Sequence, residues 1–147
     1  MPKNPFLRKK ICNYHPSDRD QIQRAYLQIG ACQPFEHDFP KTKIGKTIRR
    51  FNPTWFKEYK WLEYSVLKDA AYCLYCYLFK PDIGNQARGD TFVIEGFSNW
   101  KKKEKIEGFM GAYSSYIYIF YNIIENFVEL FHSSISCILC STLFFLL

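Results

Sequence analysis

The 147-residue sequence lacks several features that would each indicate a class of protein. Its N-terminus, MPKNPFLRKKICNYHPSDRD, has no apolar stretch of the kind that forms a secretory signal. It also has no paired carboxylates, no catalytic triad and no glycine-rich phosphate loop, so we predict no catalytic residues and no enzyme. Because no secretory signal is visible, we expect the six cysteines to be reduced thiols or metal ligands rather than disulfides.

Basic residues are missing from the last part of the chain. Residues 1–107 hold all 20 Lys and Arg against 12 acids, a net charge of +8, whereas residues 108–147 have two acids and no Lys or Arg. This change in composition predicts a boundary near Gly108. The basic first part indicates nucleic acid or another polyanion as its partner.

The tail, residues 108–147, is instead apolar, and we expect it to be helical. From Leu130 to Leu147 only His132 is chargeable, and about eighteen residues is near the lower limit for a helix that spans a bilayer. A membrane anchor at residues 130–147 is therefore one interpretation, although no Lys or Arg flanks it to fix an orientation. The preferred hypothesis is that the tail comes from a truncated element, a retained intron or a mispredicted exon.

Residues 1–48 are predicted to form an N-terminal leader. We expect a loose arm over residues 1–15, since Pro2 and Pro5 block regular structure. A short helix is predicted near residues 17–29, with Ser17 or Asp18 as its N-cap and Gly30 at its C-terminal end.

The leader continues into a segment, residues 31–54, that contains three prolines and is predicted to be an extended linker. Its basic run suits either contact with phosphates or a solvated loop, and comprises Lys41, Lys43, Lys46, Arg49 and Arg50.

Residues 49–107 are predicted to form a small α+β domain. Two short strands are expected, one around Trp61, Tyr64 and Val66 and one from Ala71 to Phe79, with a reversal at residues 67–69. A loop at residues 80–91 and a helix with Ser98 as its N-cap complete the order of a ββα zinc finger. Trp55, Trp61 and Trp100 are expected in the core, because a domain this small needs large rings for buried area.

A Cys-x-x-Cys pair, Cys73 and Cys76, is the strongest local signal for chemistry. Two thiolates at this spacing can chelate one zinc ion, and metal binding can supply stability that a small core lacks. The alternative is a pair of reduced cysteines in a hairpin. Since alternate residues of a strand point to opposite faces, a turn is needed for both sulfurs to converge.

The segments RRFNPTWFKEYKWLEYSVLKDAAYCLYCYLFK and FVIEGFSNWKKKEK resemble the TTF-type zinc-finger region of hAT-superfamily transposases. They are most similar to that region in plant MYM-type zinc-finger-like proteins derived from such transposons. The resemblance spans roughly residues 4–106 and implies a BED/TTF-like ββα finger at the start of a much longer transposase, truncated here before the transposase domain. It also implies zinc as cofactor, DNA as partner and the nucleus as location.

The histidine half of the metal site that the resemblance implies is missing. In the family two histidines in or just beyond the helix after the GFxxWKK motif complete the site, but Phe109 stands near the first position and Tyr116 or Ile117 near the second. Cys137 and Cys140 form a second Cys-x-x-Cys, yet they lie far from the first pair in an apolar tail. We therefore expect an incomplete zinc site and weak binding.

Basic residues near the motif are the predicted phosphate contacts. This set comprises Arg49, Arg50, Lys101, Lys102, Lys103 and Lys105, and its contacts would be sensitive to salt rather than to base sequence. We expect Glu58, Glu63 and Asp69 to be surface charges.

Overall fold

The computed structural model of the chain describes residues 1–79 and 90–109. Its helices are α1 (Pro16–Ile29), α2 (Trp55–Glu58), α3 (Leu74–Phe79) and α4 (residues 103–109), and its strands are β1 (Thr42–Ile44), β2 (Thr47–Arg49), β3 (Leu62–Ser65) and β4 (Ala70–Cys73). Short 3₁₀ turns cover Pro5–Leu7, Ile11–Asn13 and Asp90–Phe92. The strands form two separate antiparallel pairs, β1–β2 and β3–β4, which confirms a small α+β fold.

The chain divides into two compact units, Met1–Lys103 and Glu104–Leu147. Nearly all described residues belong to the first unit. The described part of the second unit is residues 104–109, which are helical. The tail beyond them, with its predicted helix, lies outside the described residues.

Helix α1 forms close to its predicted position, but its cap differs. His15 is the N-cap and its Nδ1 accepts the Ser17 N–H at 3.4 Å, so the prediction of Ser17 or Asp18 as cap is wrong. Pro16 takes the first helical position, where its missing N–H costs no hydrogen bond. The predicted Gly30 ends the helix with φ of +73°, and its N–H donates to the Tyr26 carbonyl.

The predicted linker contains a β-hairpin, β1–β2. Thr42 pairs with Arg49, Lys43 with Ile48 and Ile44 with Thr47. Gly45 lies first in the two-residue turn with φ of +63°, the position at which a type II′ turn takes glycine. The β-branched residues on both sides of this turn favour strands, so the extended-linker prediction is wrong for residues 42–49.

The β3–β4 hairpin lies at the centre of the first unit. The predicted reversal is confirmed: residues 66–69 turn the chain, and Asp69 takes a left-handed conformation with φ of +46°. Its carboxylate accepts the Tyr64 hydroxyl at 2.5 Å and the Thr42 hydroxyl at 3.1 Å. Asp69 therefore joins the two hairpins, and its reading as a simple surface charge is incomplete.

The second strand is shorter than predicted, because β4 ends at Cys73 and α3 begins at Leu74. The sequence prediction of a strand from Ala71 to Phe79 is wrong over residues 74–79. Leu74 and Leu78 have the i, i+4 spacing of one helix face, and both are buried in a cluster with Tyr26 of α1. Packing against α1 therefore favours a helix over the strand preference of the aromatic residues.

The loop predicted at residues 80–91 lies mostly outside the described residues, and the segment that follows it pairs with β4. Phe97 exchanges two 2.8 Å backbone hydrogen bonds with Ala71 of β4. Residues 98–102 are not helical, with a turn at residues 100–101, and helix α4 begins only at residue 103, so the prediction of Ser98 as its N-cap is wrong. The pairing of Phe97 and the burial of Trp100 hold this segment against the core before the helix starts.

The core of the first unit is a cluster of aromatic rings around Phe51. Its ring centroid lies 4.8–5.3 Å from those of five other side chains: Phe39, Trp55, Phe56, Tyr64 and Trp100. The prediction that all three tryptophans lie in the core is confirmed. Burial of several such rings supplies most of the apolar area available to a unit of this size.

The N-terminal arm is packed rather than loose. The Arg8 guanidinium contacts the Glu63 carboxylate through two hydrogen bonds of 2.6 and 2.7 Å, and the two side chains are 1% and 0% exposed. Arg8 also lies over the rings of Tyr26 and Tyr77, 4.6 and 5.2 Å from their centroids. The predictions of a loose arm and of Glu63 as a surface charge are both wrong, because each charge has its partner 55 residues away.

Candidate functional site

The thiol pair lies where β4 passes directly into α3. Cys73 is the last residue of the strand and Cys76 lies in the first turn of the helix. The Cys76 N–H donates to the Cys73 Sγ at 3.3 Å, and both cysteines are free thiols. The change from strand to helix thus supplies the turn that two converging sulfurs require.

Both thiols are buried, and burial lowers the reactivity of Cys73. Burial raises the pKa of Cys73 well above its usual value, and the adjacent Cys76 thiol raises it further. A thiol with a raised pKa stays protonated at neutral pH and is a poor nucleophile. Binding of a metal would have to displace that proton, since zinc binds the thiolate.

Cys73 and Cys76 would supply two ligands, whereas a tetrahedral zinc site needs four. No group of three or more His, Cys, Asp or Glu side chains occurs among residues 1–79 and 90–109. His15 caps α1, and His37 packs its ring against Phe39 and Tyr64. The Cys12 thiol donates a hydrogen bond to Asn13 Oδ1, and the backbone N–H of Cys32 donates to the Glu63 carboxylate. The remaining candidates, His132, Cys137 and Cys140, lie outside the described residues, so the described part does not form a complete site.

The β1–β2 hairpin carries a group of exposed cations. Five Lys and Arg side chains lie in the two strands, in the turn or directly beside the strand ends, and all five are exposed. They are Lys41, Lys43, Lys46, Arg49 and Arg50. None of them has an acidic partner within the part of the chain that the structure describes. The sequence from residue 39 to 57 contains no acid, so all the charges that this segment itself carries are positive.

The base of this hairpin is fixed in the aromatic core. Phe39 precedes β1 and Phe51 follows β2, and their buried rings lie 5.0 Å apart. The Thr42 hydroxyl bond to Asp69 adds a second attachment. Two anchored ends hold the hairpin in one position relative to the core.

Of the predicted phosphate-contact residues near Trp100, only some can act together with the cations of the hairpin. Trp100 packs against Phe51 with ring centroids 5.3 Å apart, and Lys101 and Arg50 are their neighbours in the chain. Lys101 and Lys102 are exposed, whereas Lys103 forms a 3.4 Å ion pair with Glu58. Lys105 is exposed and belongs to the second unit.

Sequence reasoning missed two features of this region. The buried pair Arg8–Glu63 had one signal, an acid set between apolar residues in the strand sequence WLEYS. The hairpin had a clearer one, the alternating TKIGKTIR with glycine at its centre.

The described residues include no helix that is both long and apolar enough to cross a membrane. The segment considered as an anchor, residues 130–147, lies outside them and stays a prediction.

No family model, no curated protein and no solved structure matches this chain.

Proposed function

We propose that the chain is a non-catalytic DNA-binding module whose principal contact element is the β1–β2 hairpin. The observation that carries the proposal is the set of five exposed cations on residues 41–50, without an acid from residue 39 to 57. Lysine and arginine bind nucleic acid by neutralising phosphates and releasing their counterions. A surface of this kind favours a polyanion over an apolar or basic protein groove.

The attachment of the hairpin supports this role. The Phe39–Phe51 contact and the Thr42–Asp69 hydrogen bond fix both strands at their base. A fixed element loses little conformational entropy when it binds, so more of the contact energy contributes to affinity. Lys101 and Lys102 are exposed and follow Trp100, whose ring packs against Phe51, so we assign them to the same basic surface.

The resemblance to the TTF-type zinc-finger region of hAT transposases agrees with this proposal, since it implies DNA as partner. It also implies zinc, for which Cys73 and Cys76 would be the sulfur ligands. Because the described residues hold only this half of a site, we assign DNA contact to the hairpin and derive no step through a metal. A DNA-binding role makes the nucleus the proposed location.

Binding of the full chain to a fluorescently labelled DNA duplex, followed by anisotropy, tests the proposal. The variant Lys43→Gln/Arg50→Gln removes two hairpin cations, and we expect its affinity to fall at least about tenfold, since a hydrogen bond to a charged group contributes about 1.5–3 kcal/mol.

The matched control is Lys10→Gln/Lys60→Gln, which changes the net charge equally at two exposed lysines outside the hairpin. Lys60 precedes β3 and lies at one end of the β3–β4 hairpin, whereas Asp69 lies at the other end. It is Asp69 that bonds to Thr42 of β1. We expect the affinity of this control variant to change by less than about threefold. An equal loss in both variants, or no saturable binding by the unmodified chain, would contradict the proposal.

A further inference from the structure

We infer that the outer face of the β1–β2 hairpin enters the major groove of B-form DNA, where Ile48 contacts the methyl groups of thymine. This inference rests on the proposed function and specifies which nucleic acid is bound and which residue reads it.

Ile48 lies in the middle of the outer face of the hairpin. It pairs directly with Lys43, and directly paired residues of a sheet point to the same side. Both side chains are exposed, whereas Thr42, Ile44 and Thr47 on the other face are half-buried. At 68%, Ile48 has the largest exposed fraction of any large hydrophobic side chain among the described residues.

On its face of the hairpin, Ile48 has cationic neighbours both across the strand pair and along the chain. Lys43 lies opposite it, Lys46 lies at the turn, and Lys41 and Arg50 lie two residues along the chain from Lys43 and Ile48, so they continue the same face. A branched apolar side chain among four cations matches a partner with negative edges and an apolar centre. The major groove has this arrangement, since phosphates border it and the thymine methyl projects into it.

The dimensions of the hairpin agree with this docking. Neighbouring strands lie about 4.8 Å apart, and a two-stranded ribbon fits the roughly 12 Å width of the B-form major groove. A strand of three residues spans about 10 Å, close to three base-pair steps. The major groove of A-form RNA is too narrow and deep for side chains to read, so duplex DNA is the partner that this shape favours.

The conformation of the hairpin fixes the orientation of its outer face. Gly45 sets the two-residue turn, and the Phe39 and Phe51 rings hold the two chain ends together. Ile48 is thus fixed relative to Lys43 and Arg50 before any partner binds, which a base-contacting residue requires for discrimination.

The test measures the affinity of the full chain for a thymine-containing duplex and for the same duplex with uracil in place of thymine, which removes only the methyl groups. We expect the unmodified chain to bind the thymine duplex roughly 5–30-fold more tightly, within the range for a specific base contact. In Ile48→Ala this preference disappears while the dependence on salt stays unchanged, because no phosphate contact is lost. Lys43→Gln weakens binding to both duplexes equally and reduces the salt slope by about 0.9.

Ile29→Ala is the control, since Ile29 is an exposed isoleucine at the end of α1. It should retain the thymine preference. Salt-dependent DNA binding without a thymine preference, or with a preference that survives in Ile48→Ala, would overturn this inference and leave the proposed function standing. Tighter binding to duplex RNA than to duplex DNA would also overturn it, and no binding to DNA at all would contradict both proposals.

Discussion

Removal of the buried Arg8 charge gives a sharp test of how the N-terminal arm stabilises the first unit. The variant Arg8→Met keeps an unbranched side chain of similar length over the rings of Tyr26 and Tyr77. It removes both hydrogen bonds to Glu63, whose carboxylate stays fully buried with the Cys32 N–H as its remaining donor.

The expected loss follows from that burial. Leaving one partner of a buried ion pair without the other costs about 3–5 kcal/mol of unfolding free energy. The control is Arg24→Met, because Arg24 and Asp20 form an i, i+4 pair whose side chains are 74% and 72% exposed. Such a surface pair contributes only about 0.3–0.5 kcal/mol.

The loss should also depend on pH, with a sign that follows from Glu63. Burial raises the pKa of this carboxyl above its usual value, while Arg8 and the Cys32 N–H act to lower it. Without Arg8 the pKa rises further, so folded Glu63 keeps a proton that the unfolded chain has released. A folded pKa above the unfolded one gives stability that is present below the unfolded pKa and lost as the pH rises.

Urea unfolding of the full chain, followed by fluorescence of the three buried tryptophans, measures both effects. We expect the deficit of Arg8→Met to be smaller near about pH 5 than near about pH 7.5. In Arg8→Met/Glu63→Gln, which cannot ionise at position 63, that pH dependence should disappear. A deficit no larger than that of Arg24→Met, or one independent of pH, would refute the reasoning.

Three further predictions concern a glycine, a serine and the thiol pair. Gly96 has a φ of +83°, and a Cβ at this position would lie 2.6 Å from the Ala70 Cβ. Gly96→Ala should therefore lower the unfolding free energy by about 3 kcal/mol or more. The control is Gly108→Ala, which should not lower it, because a Cβ at Gly108 meets open space. The buried Ser65 hydroxyl has no hydrogen-bond partner within the described residues, so Ser65→Ala should raise that free energy by about 1 kcal/mol in urea unfolding, and a loss would indicate an unseen partner. The full chain should lose its zinc on dialysis against a chelator, as measured by metal analysis. If the chain instead retains one zinc per molecule, and Cys137→Ser abolishes that retention, the tail completes the site.

The elements that were predictable from the sequence are those defined by neighbouring residues. Gly30 marked the end of α1 because a left-handed C-terminal residue favours glycine. The reversal before Ala70 was visible as a polar break between two strand-like runs. Both signals act over a few residues and do not depend on the rest of the fold.

The features that were missed depend on distant partners. Residues 74–79 have the composition of a strand, but contact of Leu74 and Leu78 with Tyr26 of α1 favours the helix. Arg8 and Glu63 are 55 residues apart, so neither position alone indicates that the other is buried beside it. Cys73 and Cys76 were identified from their spacing, whereas their ligand environment depends on which other segments approach them.

The salt dependence of DNA binding tests the central claim, that the β1–β2 hairpin makes the phosphate contacts, most directly. If its five cations and Lys101 and Lys102 each neutralise one phosphate, a plot of log Kobs against log salt concentration for the full chain should have a slope of about −6. Replacing the five hairpin cations with glutamine should reduce it to about −2. The same slope for both proteins, or a slope near zero for the unmodified chain, would contradict the account.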